Sequence, residues 1–245
     1  MNWKPLRRWL LLAVVAFLGL QLFFVGRIAL MALVDPQSTS FQRSEAWRLA
    51  TGNQRLRWRQ QWVPYERISP HLKRAVVAAE DDGFANHDGL DWEAIEKAWE
   101  RNAQAEERAA RLAQARPGRA RPPRIVGGST ISQQLAKNLL LSGERTLLRK
   151  AQEMVLTLAL EQLLGKERIL EIYLNSVEWG EGVFGAEAAA RHYWRKGADR
   201  LTPYEAARLA VMLPRPRYFE KVPNSAYLAN RANVIVGRMR AAELP

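Results

Sequence analysis

The chain contains no cysteine among its 245 residues. A disulfide scaffold, a thiolate zinc site and a cysteine nucleophile are therefore excluded. It has only three histidines, His71, His87 and His192, too few and too scattered for a typical histidine-rich metal site. No stretch alternates apolar and polar with period two, and no segment repeats at a fixed spacing. Acidic residues are in deficit: 25 against 37 basic ones, a net charge of +12. Such a chain suits nucleic acid, anionic lipid or a phosphorylated substrate. The charged share, 25%, is ordinary and 48% of residues are hydrophobic, which excludes wholesale disorder. The length supports one good-sized domain and an appendage.

The appendage is at the start. From Trp9 to Gly26 there is no charge, and Ile28–Val34 continue the run after Arg27. A helix of that length spans a bilayer, with Arg27 snorkelling at the far interface and Asp35-Pro36 ending it. Lys4, Arg7 and Arg8 precede it, which predicts the N-terminus inside and the rest outside. A cleaved signal peptide is the rival, disfavoured by the length of the run and by the lack of a small-x-small site. A buried core helix would show a polar face, which Leu10–Leu20 lacks. A chain whose remainder lies outside the cytoplasm has no call on DNA or RNA. Residues 1–8 then form a cytoplasmic tail, 9–34 the transmembrane helix, 35–66 a connector and 67–245 the main domain.

The main domain reads as mainly α. Gln54–Gln61 is polar and reads as connector or loop. Ser69-Pro70 opens a helix to about Ala79, with Leu72, Ala75, Val76 and Ala79 on one face. Asp91–Ala115 is a second helix, and Arg116–Arg124 is broken by proline and basic, hence expected to be mobile. Ser129–Leu141, Leu147–Leu164, Lys166–Asn175 and Gly185–Tyr193 are helix-compatible. Thr202-Pro203-Tyr204-Glu205 is a capping box leading into Ala206–Leu213. Asn224–Ala242 is the last helix.

Three segments carry more than fold. Glu80, Asp81 and Asp82 stand at a helix C-terminus, where the dipole disfavours negative charge. They are a candidate catalytic cluster or else a solvated acidic turn with His87 bonded to backbone. Gly127-Gly128 lead into Ser129, Thr130, Gln133, Gln134, Lys137 and Asn138, so free amides and donors at a helix start predict a phosphate site. The plain alternative is a glycine linker and an N-cap. Arg149-Lys150-Ala151-Gln152-Glu153 precede Met154–Leu164, which is apolar nearly all round and so predicted to be buried. Glu153 is then functional or ion-paired to Arg149 and Lys150 at i−4 and i−3. Glu161 reads as an internal structural acid, with Arg168 the nearest obvious cation.

These segments, in this order, resemble the bacterial peptidoglycan glycosyltransferase (transglycosylase) family. The resemblance rests on Glu80-Asp81-x-x-Phe84-x-x-His87-x-Gly89, GGSTISQQLAKN, RKxxE, and Lys166-Glu167-Arg168-Ile169-Leu170-Glu171-Ile172-Tyr173-Leu174-Asn175. With no transpeptidase segment before Pro245 and with Val177-Glu178-Trp179-Gly180 present, it is the monofunctional biosynthetic branch that is resembled. Gly83 stands where that family commonly has a larger polar residue, and Glu106–Arg124 looks like an expansion between the first two motifs.

The resemblance implies a lysozyme-like helical domain with a small membrane-facing jaw lobe, on the outer face of the bacterial inner membrane. It implies polymerisation of lipid II through β-1,4 links with inversion and release of undecaprenyl pyrophosphate. Glu80 would be the general base and Glu153 a second catalytic acid. Ser129, Thr130, Gln133, Gln134, Lys137, Asn138, Arg149 and Lys150 would hold the pyrophosphate. A divalent cation, Mg²⁺ or Mn²⁺, is compatible with this chemistry, with Glu153 as its candidate ligand. Lipid II, the growing glycan, membrane lipid and other cell-wall synthesis or division proteins are the implied partners. Two rivals stay open: a lysozyme-type hydrolase, which also needs a raised-pKa glutamate, and a tethered binder using the seven arginines of Arg101–Arg124.

Overall fold

A computed structural model describes residues 3–52, 57–115, 127–144 and 146–245. The basic stretch 116–124, expected to be mobile, lies outside the described residues, whereas Glu106–Ala115 complete a helix.

The chain begins with α1, Lys4–Leu30, which carries Pro5 in its first turn and Arg27 in its last. The expected stop at Asp35-Pro36 comes earlier: the helix ends at Leu30 and the chain turns through 31–34. Pro5–Leu30 is long and apolar enough to cross a membrane, and its apolar window is wholly unburied by the rest of the chain. Its second half is different. Ile28 and Met31 are buried, and Phe24 packs against the core.

The connector is more ordered than its polarity suggests. Ser40–Thr51 forms α2, started by a capping box of Thr39 and Gln42. Arg59–Gln60 forms β1, where a loop was expected. It pairs parallel with β3, Val183–Phe184, which is antiparallel to β2, Glu178–Gly180. The order β1-β3-β2 is the one sheet among the described residues. Asn175 pins the connector by accepting from Val63 N at 2.9 Å and donating to Val63 O at 2.9 Å.

The mainly α expectation holds. Helix α3, Pro70–Glu80, is capped by Ser69 and buries Leu72, Ala75 and Val76. Trp92–Ala115 is α4. Ile131–Leu140 is α5, with Thr130 and not Ser129 as its N-cap. Leu147–Leu163 is α6 and Lys166–Ser176 is α7. Ala186–Trp194 is α8 and Pro203–Met212 is α9, whose predicted capping box is present. Pro216–Lys221 adds a short α10, and Ala226–Arg238 is α11. Helices α3, α9 and α11 pack together on one side of the core, and α5 packs with α6 and α7 on the other.

Helix α6 departs from expectation. Only Glu153, Leu156, Thr157 and Leu160 are buried. Leu147 and Leu148 are 90% and 85% exposed, and Val155, Leu158 and Leu163 are exposed too. The all-round apolarity has two causes: one face meets the core, and the other continues the unburied apolar surface of α1, which lies against α6.

Candidate active site

The acidic turn after α3 separates into three environments. Asp82 is exposed and pairs with Arg238 at 3.2 Å. Asp81, the C-cap of α3, is buried. Its Oδ1 meets His87 Nε2 at 2.9 Å, and its Oδ2 accepts from the amide of Ile131 at 2.9 Å. The first turn of α5 is thus already neutralised by a carboxylate from fifty residues upstream. Gly89 N donates to His87 Nδ1, so the ring proton sits on Nε2 and points at Asp81. Gly89 is obligatory here. Its φ is +85°, and a Cβ would meet Thr157 Cγ2 at 2.7 Å and Glu161 Cγ at 2.8 Å.

Glu80 is different from both. Its carboxylate accepts from Gln134 Nε2 at 3.0 Å. Burial, with a smaller push from the Asp81 charge, raises its pKa above the ordinary glutamate value, and the Gln134 bond opposes this. Gln134 is in turn fixed by Tyr173, whose hydroxyl donates to Gln134 Oε1 at 2.9 Å. Tyr173 is buried, and burial holds its phenol well above its ordinary pKa, so it stays a donor. This chain, Tyr173 to Gln134 to Glu80, presents a desolvated carboxylate with one fixed donor.

Gln134 and Tyr173 line an open cleft of about 790 Å³ together with Lys137, Asn138 and Arg149. Glu153 lies beneath Arg149, 3% exposed. It accepts from Arg149 Nη1 at 2.7 Å and from Lys150 Nζ. Arg149 Nε is buried and has no hydrogen-bond partner among the described residues.

Of the expected anion-binding residues, Gln134, Lys137, Asn138 and Arg149 therefore converge on the cleft, and Lys150 joins them through Glu153. Thr130 and Gln133 do not; they form the buried capping box of α5, and Thr130 Oγ1 also donates to Gly89 O at 2.7 Å. Ser129 is exposed just before that cap. The free helix start read from the sequence is closed by Asp81 and Thr130. Glu161 is an internal structural acid as expected, but its cation is Lys166 at 2.9 Å, and Ser132 Oγ also donates to it. Arg168 instead pairs with Asp35 and Glu171, both at 2.8 Å.

Two donor sets bear on a metal. Asp81, His87 and Asp91 bring one ligand atom each within 4.8 Å of one another. Asp81 and His87 are committed at both of their polar atoms, and Asp91 Oδ1 accepts from Ala94 N at 2.8 Å. Glu153 has a cation on each oxygen. Neither set presents three ligand atoms free of bonds within the protein.

The sequence reading missed the opposite wall. It consists of Ser40, Phe41, Arg43, Ser44 and Glu45 of α2, with Glu178 and Pro216. Arg217 ties this wall together, meeting Glu45 at 2.6 Å and Glu178 at 2.8 Å. The Thr39-x-x-Gln42 box was the one available signal for it.

A family model described as transglycosylase matches residues 49–240. The chain belongs to the transglycosylase family. It is 53% identical over 94% of its length to a biosynthetic peptidoglycan transglycosylase of Burkholderia thailandensis, 84% of which is covered. It is 52% identical to one of Burkholderia orbicola, covering 94% of this chain and 87% of that one. A protein of the same name from Paraburkholderia phytofirmans is 51% identical, with 94% and 90% covered.

Proposed function

We propose that this transglycosylase polymerises lipid II, with Glu80 as general base and the cleft cations as the pyrophosphate site. The observation that carries it is a cleft lined by a convergent set of donors, one of which, Gln134, holds the desolvated Glu80 carboxylate behind it. The acceptor 4-hydroxyl has a pKa far above 7 and needs a base that holds its negative charge poorly. Glu80, half-buried, desolvated and beside Asp81, is such a base. As the hydroxyl oxygen attacks the donor's anomeric carbon, its proton passes to Glu80 and the bond to pyrophosphate breaks. Lys137, Asn138 and Arg149 face the charge that develops on the leaving group. Glu153 acts by holding Arg149 and Lys150 in place, so the site's positive charge comes from side chains.

The unburied apolar faces of α1 and α6 favour work at a membrane surface, with the catalytic part outside the cytoplasm and the substrate's lipid tail held alongside. A hydrolase would use the same carboxylate without needing the cations. The test supplies lipid II and finished peptidoglycan separately to the purified full chain. We expect lipid II alone to be consumed, and Glu80→Gln to slow this by roughly 10²-fold or more, at the low end of general-base contributions. Consumption of finished peptidoglycan, or near-normal polymerisation by Glu80→Gln, overturns the reading.

A further inference from the structure

Helix α1 carries one uncharged polar side chain in the middle of its apolar run, Gln21. It is half-buried, and it faces Gln152 of α6. The two amides bond reciprocally: Gln21 Nε2 donates to Gln152 Oε1 at 3.1 Å, and Gln152 Nε2 donates to Gln21 Oε1 at 2.8 Å. Gln152 is next to Glu153, whose partners Arg149 and Lys150 lie on the same helix.

The depth of this pair follows from helix geometry. Trp9 to Gln21 is a rise of about 18 Å at 1.5 Å per residue. A hydrocarbon core is about 30 Å thick. The part of α1 below Gln21 is too short to cross it, and any tilt makes the shortfall larger. The rest, about 12 Å, falls on the segment from Gln21 towards Ile28, the segment docked on the protein. Gln21 therefore lies within the hydrocarbon, and Gln152 lies there with it. The exposed Leu148, Val155 and Leu158 on α6 are the surface such a depth requires. Unpaired amides there are costly, and a reciprocal pair is the arrangement that satisfies both.

We propose that Gln21 and Gln152 form a clasp inside the membrane that fixes α6 against the anchor helix. It thereby fixes how α6, and the Arg149 and Lys150 it carries, sit relative to the anchor. Both are positioning residues. The proposal rests on the lipid II reading and on α1 as a membrane span.

The test uses the full chain in liposomes, with Gln21→Met and Gln152→Met singly and together, methionine keeping the shape without the bonds. Leu22→Met, on the unburied side of α1, is the control. Each single variant is expected to raise KM for lipid II by roughly 3- to 20-fold, the range of one interhelical bond in a membrane, with kcat within about twofold. The double variant is expected to be no worse than the poorer single, because each glutamine acts through the other. A second readout needs no activity. The chain has no cysteine, so Val155→Cys gives a unique thiol for a membrane-impermeant reagent. Labelling should be slow, and at least about threefold faster with Gln21→Met. Unchanged KM and labelling in the single variants, or effects that multiply in the double, overturn the clasp. Release of the unmodified chain by alkaline carbonate would instead overturn the span, and failure to consume lipid II would overturn the substrate reading.

Discussion

Tyr173 is the residue whose removal reports most directly on the base. Tyr173→Phe keeps the buried ring and deletes only the hydroxyl that donates to Gln134 Oε1. That bond is what distinguishes the two ends of the Gln134 amide. Without it the side chain can rotate and turn its carbonyl towards Glu80, replacing a donor by a like dipole. A hydrogen bond to a charged acceptor is worth about 1.5–3 kcal/mol, which is tenfold or more in an equilibrium. The Gln134 bond lowers the Glu80 pKa against burial, so its loss raises that pKa further. The base works only when deprotonated. On the acid side of the profile the variant should therefore be about tenfold slower or worse. On the alkaline side, where both carboxylates are ionised, the rates should converge. The assay is kcat/KM for lipid II across the pH range in the full chain. Superimposable profiles would show that the chain through Gln134 does not tune Glu80. A uniform fall at every pH would show that Tyr173 serves packing alone.

Glu80→Gln should also raise thermal stability while it lowers the rate. The folded pKa of Glu80 is raised, so wild-type stability falls as pH climbs from the unfolded carboxyl value through the folded one. The gain should be absent near pH 4 and present at pH 8, by calorimetry; a gain that does not change with pH refutes it. Glu153→Gln should strongly lower turnover while a cooperative melt persists, because Arg149 and Lys150 lose the carboxylate between them. A molecule that no longer melts cooperatively would give Glu153 a purely structural role. A reporter fused after Pro245 should be active only if it works outside the cytoplasm; a cytoplasmic reporter active there would overturn the orientation of α1.

Local chemistry was legible where it was short-range. Ser69-Pro70 and the Thr202 and Glu205 box mark their helices because caps act within three residues. Arg149, Lys150 and Glu153 were readable as a group because helix spacing alone brings them together. Helix α2 was not legible, since its helix buries only Gln42 and Leu49 and shows no apolar period. Strand β1 has two residues, too few for any pattern. The partner of Asp81 lies fifty residues away, and nothing in the acidic turn announces it. The burial of α6 was misread for a different reason. An apolar helix surface says that water is excluded, and it does not distinguish a protein interior from lipid.

Three adjacent carboxyls have three fates, and the differences single out the one proposed as the base. Asp82 is neutralised at the surface by Arg238, so it exerts little field inward. Asp81 is buried but anchored by the α5 amide and by His87, so its negative charge is kept where water cannot screen it. Glu80, next in the chain, is also taken out of water, and the only side-chain donor on its carboxylate among the described residues is Gln134. The stabilising partners go to Asp81 and the cost of desolvation stays with Glu80. Exchanging those partners would exchange the roles. The same arrangement takes up the start of α5, although glycine and hydroxyl residues lead into it. Its amide already holds Asp81, so the proposed anion site falls one turn along, where Gln134, Lys137 and Asn138 of α5 line the cleft with Arg149.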